Sequence, residues 1–312
     1  MERQPGNQLV SFGSAWRQIP ALGVGTWAWG DRWLWGYGRE FTDKDLREAF
    51  DVSLAAGVRF FDTAEVYGRG RSEVLLGSFI RATGAPVVVG TKFMPFPWRL
   101  HKKTLRHALQ ASLARLGLEV VDLYQMHWPF PPVSIETWMD ALADAVAEGL
   151  VREVGVSNYA VGQMRRAHEA LARCGIRLAS NQVKFSLLDR QPLRMGLLDA
   201  CSELGVTFIA YSPLAMGVLT GKYSAEAPPP GMRSRRYNRH LLKRIEPLLG
   251  LLGRIAAERG KTRAQVALNW VMAKGAMPIP GAKNARQAVE NAGSLGWRLG
   301  SEEIQDLDQA WP

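Results

Sequence analysis

Short apolar runs alternate with longer amphipathic stretches along almost the whole chain. The apolar runs occupy residues 19–25 (IPALGVG), 58–63 (VRFFDT), 87–93 (VVVGTKF), 120–126 (VVDLYQM), 151–157 (VREVGVS), 179–185 (ASNQVKF), 206–211 (VTFIAY) and 276–281 (AMPIPG). Several are β-branched and apolar nearly throughout, the pattern of strands covered on both faces. Between them, apolar residues recur at helical spacing over 42–56, 71–82, 102–116, 134–148, 160–173, 193–204, 262–274 and 284–292. The first of these helices has Thr42 as its N-cap and Gly57 just past its end. Eight strand–helix repeats predict an α/β fold, the closed (β/α)8 TIM barrel; an open doubly wound sheet is the alternative that strand counting leaves standing.

Three segments fall outside that repeat. Residues 8–19 fit a hairpin closing the barrel floor. Residues 221–261, with PPP at 228–230 and a second helical pattern, read as a long loop and helix insertion after strand seven. Residues 301–312 form a final helix starting at Ser301. No Gly/Ser linker or internal repeat divides the chain, so one barrel domain over residues 1–312 is expected.

Composition narrows the class. The chain has 312 residues, 47% of them apolar, which is too rich for a disordered protein. No run of 18 apolar residues occurs, and MERQPGNQLV lacks the apolar stretch of a signal peptide, so no membrane partner is expected. Cys174 and Cys201 are too few for a disulfide scaffold, which points to a reducing compartment, the cytoplasm by default. The 39 Lys+Arg outnumber the 29 Asp+Glu, for a net charge of +10. Six of these cations, Arg233, Arg235, Arg236, Arg239, Lys243 and Arg244, crowd one stretch with no acid among them. With no interleaved aromatic ladder and no recognised module, that stretch reads as a solvated loop or a flap attracting an anionic small molecule, and not as a nucleic-acid site. Oligomeric state is not legible.

Barrel enzymes gather reactive groups where strands run into the following loops. Reading those positions gives Gly25, Thr26 and Trp27; Asp62, with Tyr67 five residues on; Lys92; His127; Ser157 and Asn158; Gln182; Tyr211, Ser212 and Pro213; then Pro280 and Gly281. Singly, each has an ordinary explanation: a packing tyrosine, a core histidine, a structural ion pair. Packing alone does not predict an Asp, a Tyr, a Lys and a His at the ends of three adjacent strands. GVGTWA at 23–28 imitates a dinucleotide fingerprint, but that motif must open a helix, and no helical pattern begins before Thr42.

The segments GVRFFDTAEVYGRGRSEVLLG, TKF, LEVVDLYQMHWP, GLVREVGVSNY, NQVKFSLL, YSPLAMGVLTGKY and IPGAKNARQAVEN together resemble the aldo-keto reductase family, in order and over the full length. The resemblance implies a catalytic tetrad of Asp62, Tyr67, Lys92 and His127. Reducing a carbonyl needs a hydride at carbon and a proton at oxygen. A free tyrosine, with a pKa of about 10, is a sluggish acid, so Lys92 is expected to lower the Tyr67 pKa. Asp62 would hold Lys92, and His127 would orient the substrate oxygen.

The same resemblance implies a nicotinamide cofactor bound without a Rossmann unit. Ser157, Asn158 and Gln182 would hold the carboxamide, and Tyr211 would stack on the ring. Ser212, Pro213, Leu214, Gly217, Leu219 and Lys222 belong to the segment that would wrap the pyrophosphate, near Gly25 and Thr26. Gly281, Lys283, Gln287, Glu290 and Asn291 would hold the adenosine end. NADPH is favoured over NADH, with Lys283, Arg286 and Arg233 as candidates for a 2′-phosphate. The Lys and Arg that many family members use there are Gly281 and Gln287 in this chain. No metal is implied: there is no HExxH motif, no G-x-S-x-G elbow and no Walker loop.

Six of the 11 tryptophans, Trp27, Trp29, Trp33, Trp35, Trp98 and Trp128, fall near the expected mouth, where half would pack loops and half would line an apolar pocket for a flat carbonyl substrate. GTWAWG, LWGY, TKF with PWRL, and GVLTGKYS are similar to a plant and cyanobacterial branch of the family that includes pyridoxal reductases, which makes pyridoxal a specific candidate. The other reading is a non-catalytic nicotinamide sensor, since some family members keep the tetrad as regulatory subunits.

Overall fold

A computed structural model describes residues 9–12 and 16–311. The chain opens with an antiparallel hairpin, β1 (Leu9–Phe12) and β2 (Trp16–Pro20). Residues 8 and 13–15 of the expected hairpin, and residue 312 of the expected last helix, lie outside the described residues. Eight parallel strands follow: β3 (Gly23–Gly25), β4 (Phe60–Asp62), β5 (Val88–Phe93), β6 (Val121–Met126), β7 (Val151–Ser157), β8 (Leu178–Lys184), β9 (Thr207–Tyr211) and β10 (Met277–Ile279). They pair in sequence order, and Gly25 N–H reaches Pro280 O at 3.1 Å, so the sheet nearly closes on itself as a (β/α)8 barrel. The open-sheet alternative is thereby removed. A Cβ on Gly25 would sit 2.8 Å from Ile279 O, so closure at this seam requires glycine.

Helices α1 (Asp43–Ala55), α2 (Arg71–Thr83), α3 (Lys102–Leu116), α4 (Ile135–Ala147) and α5 (Val161–Arg173) follow β3 to β7 in turn. After β8 the expected helix over 193–204 is broken into α6 (Gln191–Arg194) and α7 (Leu197–Glu203) by Gly196, at φ 68°. The insertion after β9 holds α8 (Arg233–Arg236), α9 (Arg239–Arg244) and α10 (Glu246–Glu258) before α11 (Arg263–Ala273) completes the repeat. The eighth repeat has α12 (Ala285–Ala292), and α13 (Ser301–Gln309) packs outside, touching α10. At the start of α1, Asp45 accepts from the Thr42 backbone N–H and hydroxyl, both at 2.8 Å, and Gly57 leaves the helix at φ 84°.

Two apolar layers result. Outward strand residues such as Phe61, Val89, Tyr124 and Val156 pack beneath Leu76, Leu109, Leu142 and Leu171 of the helices. Phe60, Val88, Leu123, Ile209, Met277 and Ile279 fill the lumen, with Ile19 and Val10 of the hairpin closing its floor. The apolar run 19–25 is therefore two elements, with Ile19 and Pro20 in the hairpin and Gly23–Gly25 in the barrel. Above the apolar lumen lies a polar layer, and there the candidate chemistry begins.

Candidate active site

The ends of three adjacent strands and the turn after the first of them converge on one cavity of about 600 Å³ at the C-terminal face of the barrel. Asp62 ends β4, Lys92 lies on β5, His127 follows β6, and Tyr67 opens a short 3-10 turn (Tyr67–Gly70). Lys92 is fully buried; its Nζ donates to Asp62 Oδ2 at 2.5 Å and Thr63 O at 2.7 Å, and lies 3.5 Å from the Tyr67 hydroxyl. The Tyr67 and His127 rings meet edge-on, with centroids 5.8 Å apart. Asp62, Tyr67 and His127 line the cavity, while Lys92 stands behind Tyr67.

The electrostatics differ from the sequence expectation at one point. Lys92 does not set the direction of the Tyr67 shift. Burial raises the phenol pKa well above 10.0, and the neighbouring Asp62 and Tyr211 push it the same way. Taking a phenolate out of water outweighs the ammonium, so Tyr67 stays a protonated phenol. Burial lowers the Lys92 pKa, opposed by Asp62 and Glu73. His127 falls well below 6.5, first through burial and then through Lys92, and is held neutral. Its Nδ1 is buried with no hydrogen-bond partner among the described residues.

On the wall beside His127, Ser157 Oγ donates to Gln182 O at 2.8 Å. Asn158, in the left-handed region at φ 63°, donates from Nδ2 to His127 O and Ser157 Oγ and accepts from the Tyr211 hydroxyl at 3.0 Å. Ser157, Asn158, Gln182 and Tyr211 all line the cavity. So do Gly25, Ser212, Pro213, Leu214, Gly217, Lys222, Arg233, Gly281, Lys283, Gln287, Glu290 and Asn291. Thr26 and Leu219 do not. Thr26 is buried and ties strand ends together, its hydroxyl bonding Asp62 O at 2.9 Å and Ser72 Oγ at 2.7 Å. Leu219 is wholly buried in the core.

The far end of the cavity is cationic. Arg233 is buried, donates to the Tyr223 hydroxyl at 3.2 Å, and has an Nε with no hydrogen-bond partner among the described residues. Its guanidinium lies 5.3 Å from the Trp35 ring centre, and Lys283 Nζ lies 5.7 Å from the same ring. Burial lowers the Lys283 pKa; Glu40, 3.6 Å away, raises it, and Lys222 and Arg233 lower it further. Gln287 Oε1 accepts from Lys283 N at 2.9 Å, and Asn291 Nδ2 donates to Gly281 O at 3.3 Å. Clustered cations with an unpaired buried donor fit a polyanionic ligand.

Of the six tryptophans, Trp27, Trp35 and Trp128 line the cavity. Trp29 does not: it is wholly buried in the core, its indole donating to Ala282 O at 3.0 Å. Trp33 (96% exposed) and Trp98 (72% exposed) stand outside, the latter stacked on Phe96. Sequence reasoning missed Ala28, Val66, Met94, Met216, Thr220 and Ile279 in the lining. Val66 adjoins Tyr67, and Met94 lies two residues past Lys92, so adjacency to the strand ends was the available signal.

A closing parallel barrel with an Asp, Tyr, Lys and His at the mouth of a half-aromatic, half-cationic cleft defines a barrel enzyme of the kind that acts on a small molecule. The family model described as aldo/keto reductase matches residues 21–312, and the chain belongs to that family. It is 43% identical over 305 residues to the chloroplastic pyridoxal reductase of Arabidopsis thaliana, covering 94% of this chain and 83% of that protein. It is 31% identical over 336 residues to the L-glyceraldehyde 3-phosphate reductase of Escherichia coli, covering 99% of this chain and 93% of that one. Its fold is similar to that of a Klebsiella pneumoniae aldo-keto reductase in complex with NADPH, with a TM-score of 0.78, 28% identity, and coverage of 98% and 95%.

Proposed function

We propose that this chain reduces an aldehyde or ketone to the alcohol with NADPH, Tyr67 giving the proton. The observation that carries the reading is the Tyr67 hydroxyl, 3.5 Å from a lysine that is itself locked to Asp62, at the wall of a cleft with cations at its other end. NADPH, when bound, supplies the hydride. Lys222, Arg233, Lys283 and Arg286 line the cleft and would hold its phosphates, and Ser157, Asn158 and Gln182 would hold its carboxamide. Neutral His127 orients the substrate oxygen, and the buried phenol of Tyr67 keeps its proton until negative charge develops on that oxygen. Tyr67→Phe should bind NADPH with unchanged affinity and lose turnover by about a hundred- to ten-thousandfold. Near-normal turnover in that variant rejects the assignment, and binding without turnover in the wild-type chain over a broad aldehyde panel selects the sensor reading.

For the substrate, Trp27, Trp128, Val66 and Met94 line the wall around Tyr67 and favour a flat aromatic aldehyde. Pyridoxal has that shape, and a relative is named for reducing it. NADPH oxidation with pyridoxal exceeding that with short aliphatic aldehydes supports this choice; the reverse order removes it. Among the described residues no helix is long and apolar enough to cross a membrane. Cys174 and Cys201 are both free, which suits a reducing compartment such as the cytoplasm.

A further inference from the structure

Beneath the cavity lies an amide that carbonyl reduction, as derived above, leaves without a role. Gln125, on β6 and two residues before His127, is fully buried. Its Nε2 lies 3.2 Å from Asp62 Oδ1, the oxygen that also accepts from Gln182 Nε2 at 2.7 Å. The other oxygen, Oδ2, takes Lys92 Nζ at 2.5 Å. An ionised carboxylate only accepts hydrogen bonds, so Gln125 must turn its NH2 toward Asp62. Its Oε1 then faces Ser180 Oγ and Gln182 Nε2, each at 3.5 Å. Room for this arrangement comes from β7, where a Cβ on Gly155 would sit 3.0 Å from Gln125 Cγ and 2.3 Å from Ser180 Oγ. Three strands thus cooperate to place one amide under one carboxylate.

We propose that Gln125 is a positioning residue for the reduction: it holds Asp62 from below so that the carboxylate keeps Lys92 against the Tyr67 hydroxyl. This rests on Tyr67 acting as proton donor. Removing the Gln125 donor leaves Asp62 Oδ1 held by Gln182 alone and frees the carboxylate to turn. A carboxylate free to turn no longer fixes the buried Lys92 ammonium against the Tyr67 hydroxyl. The titratable groups facing Asp62 are Lys92 on β5 and Tyr67 on the 3-10 turn; His127 after β6 packs on Tyr67, Tyr211 acts on Tyr67, and Glu73 acts on Lys92 from α2.

Two variants of the full-length protein test this. Gln125→Met keeps the length and removes the donor. It should lower kcat about tenfold or more and leave the substrate KM and the NADPH Kd (read by cofactor fluorescence) within about twofold. Gln125→Glu donates only while its new carboxyl is protonated, so its kcat should approach the wild-type value at low pH and fall as pH rises. Unchanged kcat in Gln125→Met overturns the proposal, as does a kcat loss matched by lost NADPH affinity. Should Gln125→Met fail to fold, the pH profile of the isosteric Gln125→Glu decides alone, and a wild-type profile there overturns the proposal. Normal turnover in Tyr67→Phe would reject the underlying reading instead, whatever the Gln125 variants do.

Discussion

His127 shows how much one side chain's surroundings decide. A histidine is half-charged near pH 6.5 in water, but here burial and the Lys92 ammonium hold it neutral well below that value. Reduction should therefore run flat from about pH 6 to about pH 8, and a step in kcat/KM near pH 6.5 would show that His127 titrates after all. Stability follows with a definite sign. Below about pH 6.5 the unfolded chain binds a proton at this position and the folded chain does not, so stability is lost as pH falls through that window, by at most about 1.4 kcal/mol per pH unit. Urea unfolding at about pH 5 and about pH 7 should show a smaller pH-dependent loss in His127→Gln than in the wild-type chain. That Asp62, Lys92 and His127 fall at or just past strand ends, with Tyr67 in the loop beyond Asp62, was legible in the sequence. The direction of the Tyr67 shift was not, since burial depends on neighbours from distant segments. Nor was the split among the tryptophans: Trp27 and Trp29 are two residues apart within one turn, yet one faces the cavity and the other the core.

Between β5 and α3, residues 94–101 bring Met94 to the cleft and are tied to the preceding loop by the Glu65–Arg99 ion pair. Glu65 accepts from Met94 N at 2.7 Å and is bridged by Arg99 at 2.5 and 3.1 Å, while the Arg99 guanidinium also covers Phe93 and Phe96. Met94 lines the cavity, so this latch fixes part of the cavity wall, and none of its residues is among the cations of the cleft. Arg99→Met should raise the KM for aromatic aldehydes about three- to tenfold and leave the NADPH Kd unchanged, because the loss of a charge-assisted pair loosens only this loop. Equal effects on both constants would mean that the latch holds the whole barrel mouth. Elements of this scale were the most legible part of the chain: period and capping located seven of the eight repeat helices within about two residues. The exceptions have local causes. Gly196 breaks the segment after β8, and Pro20 ends a hairpin strand inside what reads as one apolar run. The Glu65–Arg99 pair spans 34 residues, and no spacing rule reaches that far.

Across the whole molecule the +10 charge is unevenly used. Of the six cations in residues 233–244, Arg233 alone lines the cleft. Arg236 lies 3.8 Å from Asp189, Arg239 donates to Ala225 O, and Arg244 covers Trp311, so most of the stretch serves packing and solvation. The cations that line the cleft are drawn from three places: Lys222 from the loop after β9, Arg233 from the insertion, and Lys283 and Arg286 from the start of the last repeat. Clustered like charges of this kind favour an anionic occupant. Lys283 carries the measurable signature, because burial together with Lys222 and Arg233 holds its pKa below 10.5 against the pull of Glu40. A bound phosphate reverses the balance by favouring the ammonium, so NADPH binding should take up a proton in the range where free Lys283 is already partly neutral. Affinity for NADPH should then weaken on the alkaline side before an ordinary lysine, at about 10.4, would titrate. Lys283→Arg, charged throughout, should remove that alkaline limb, while Lys283→Met should weaken binding about tenfold at neutral pH and flatten its salt dependence. An NADPH Kd that keeps the same alkaline limb in Lys283→Arg would place the phosphate contacts on Lys222 and Arg233 and leave Lys283 to its ion pair with Glu40.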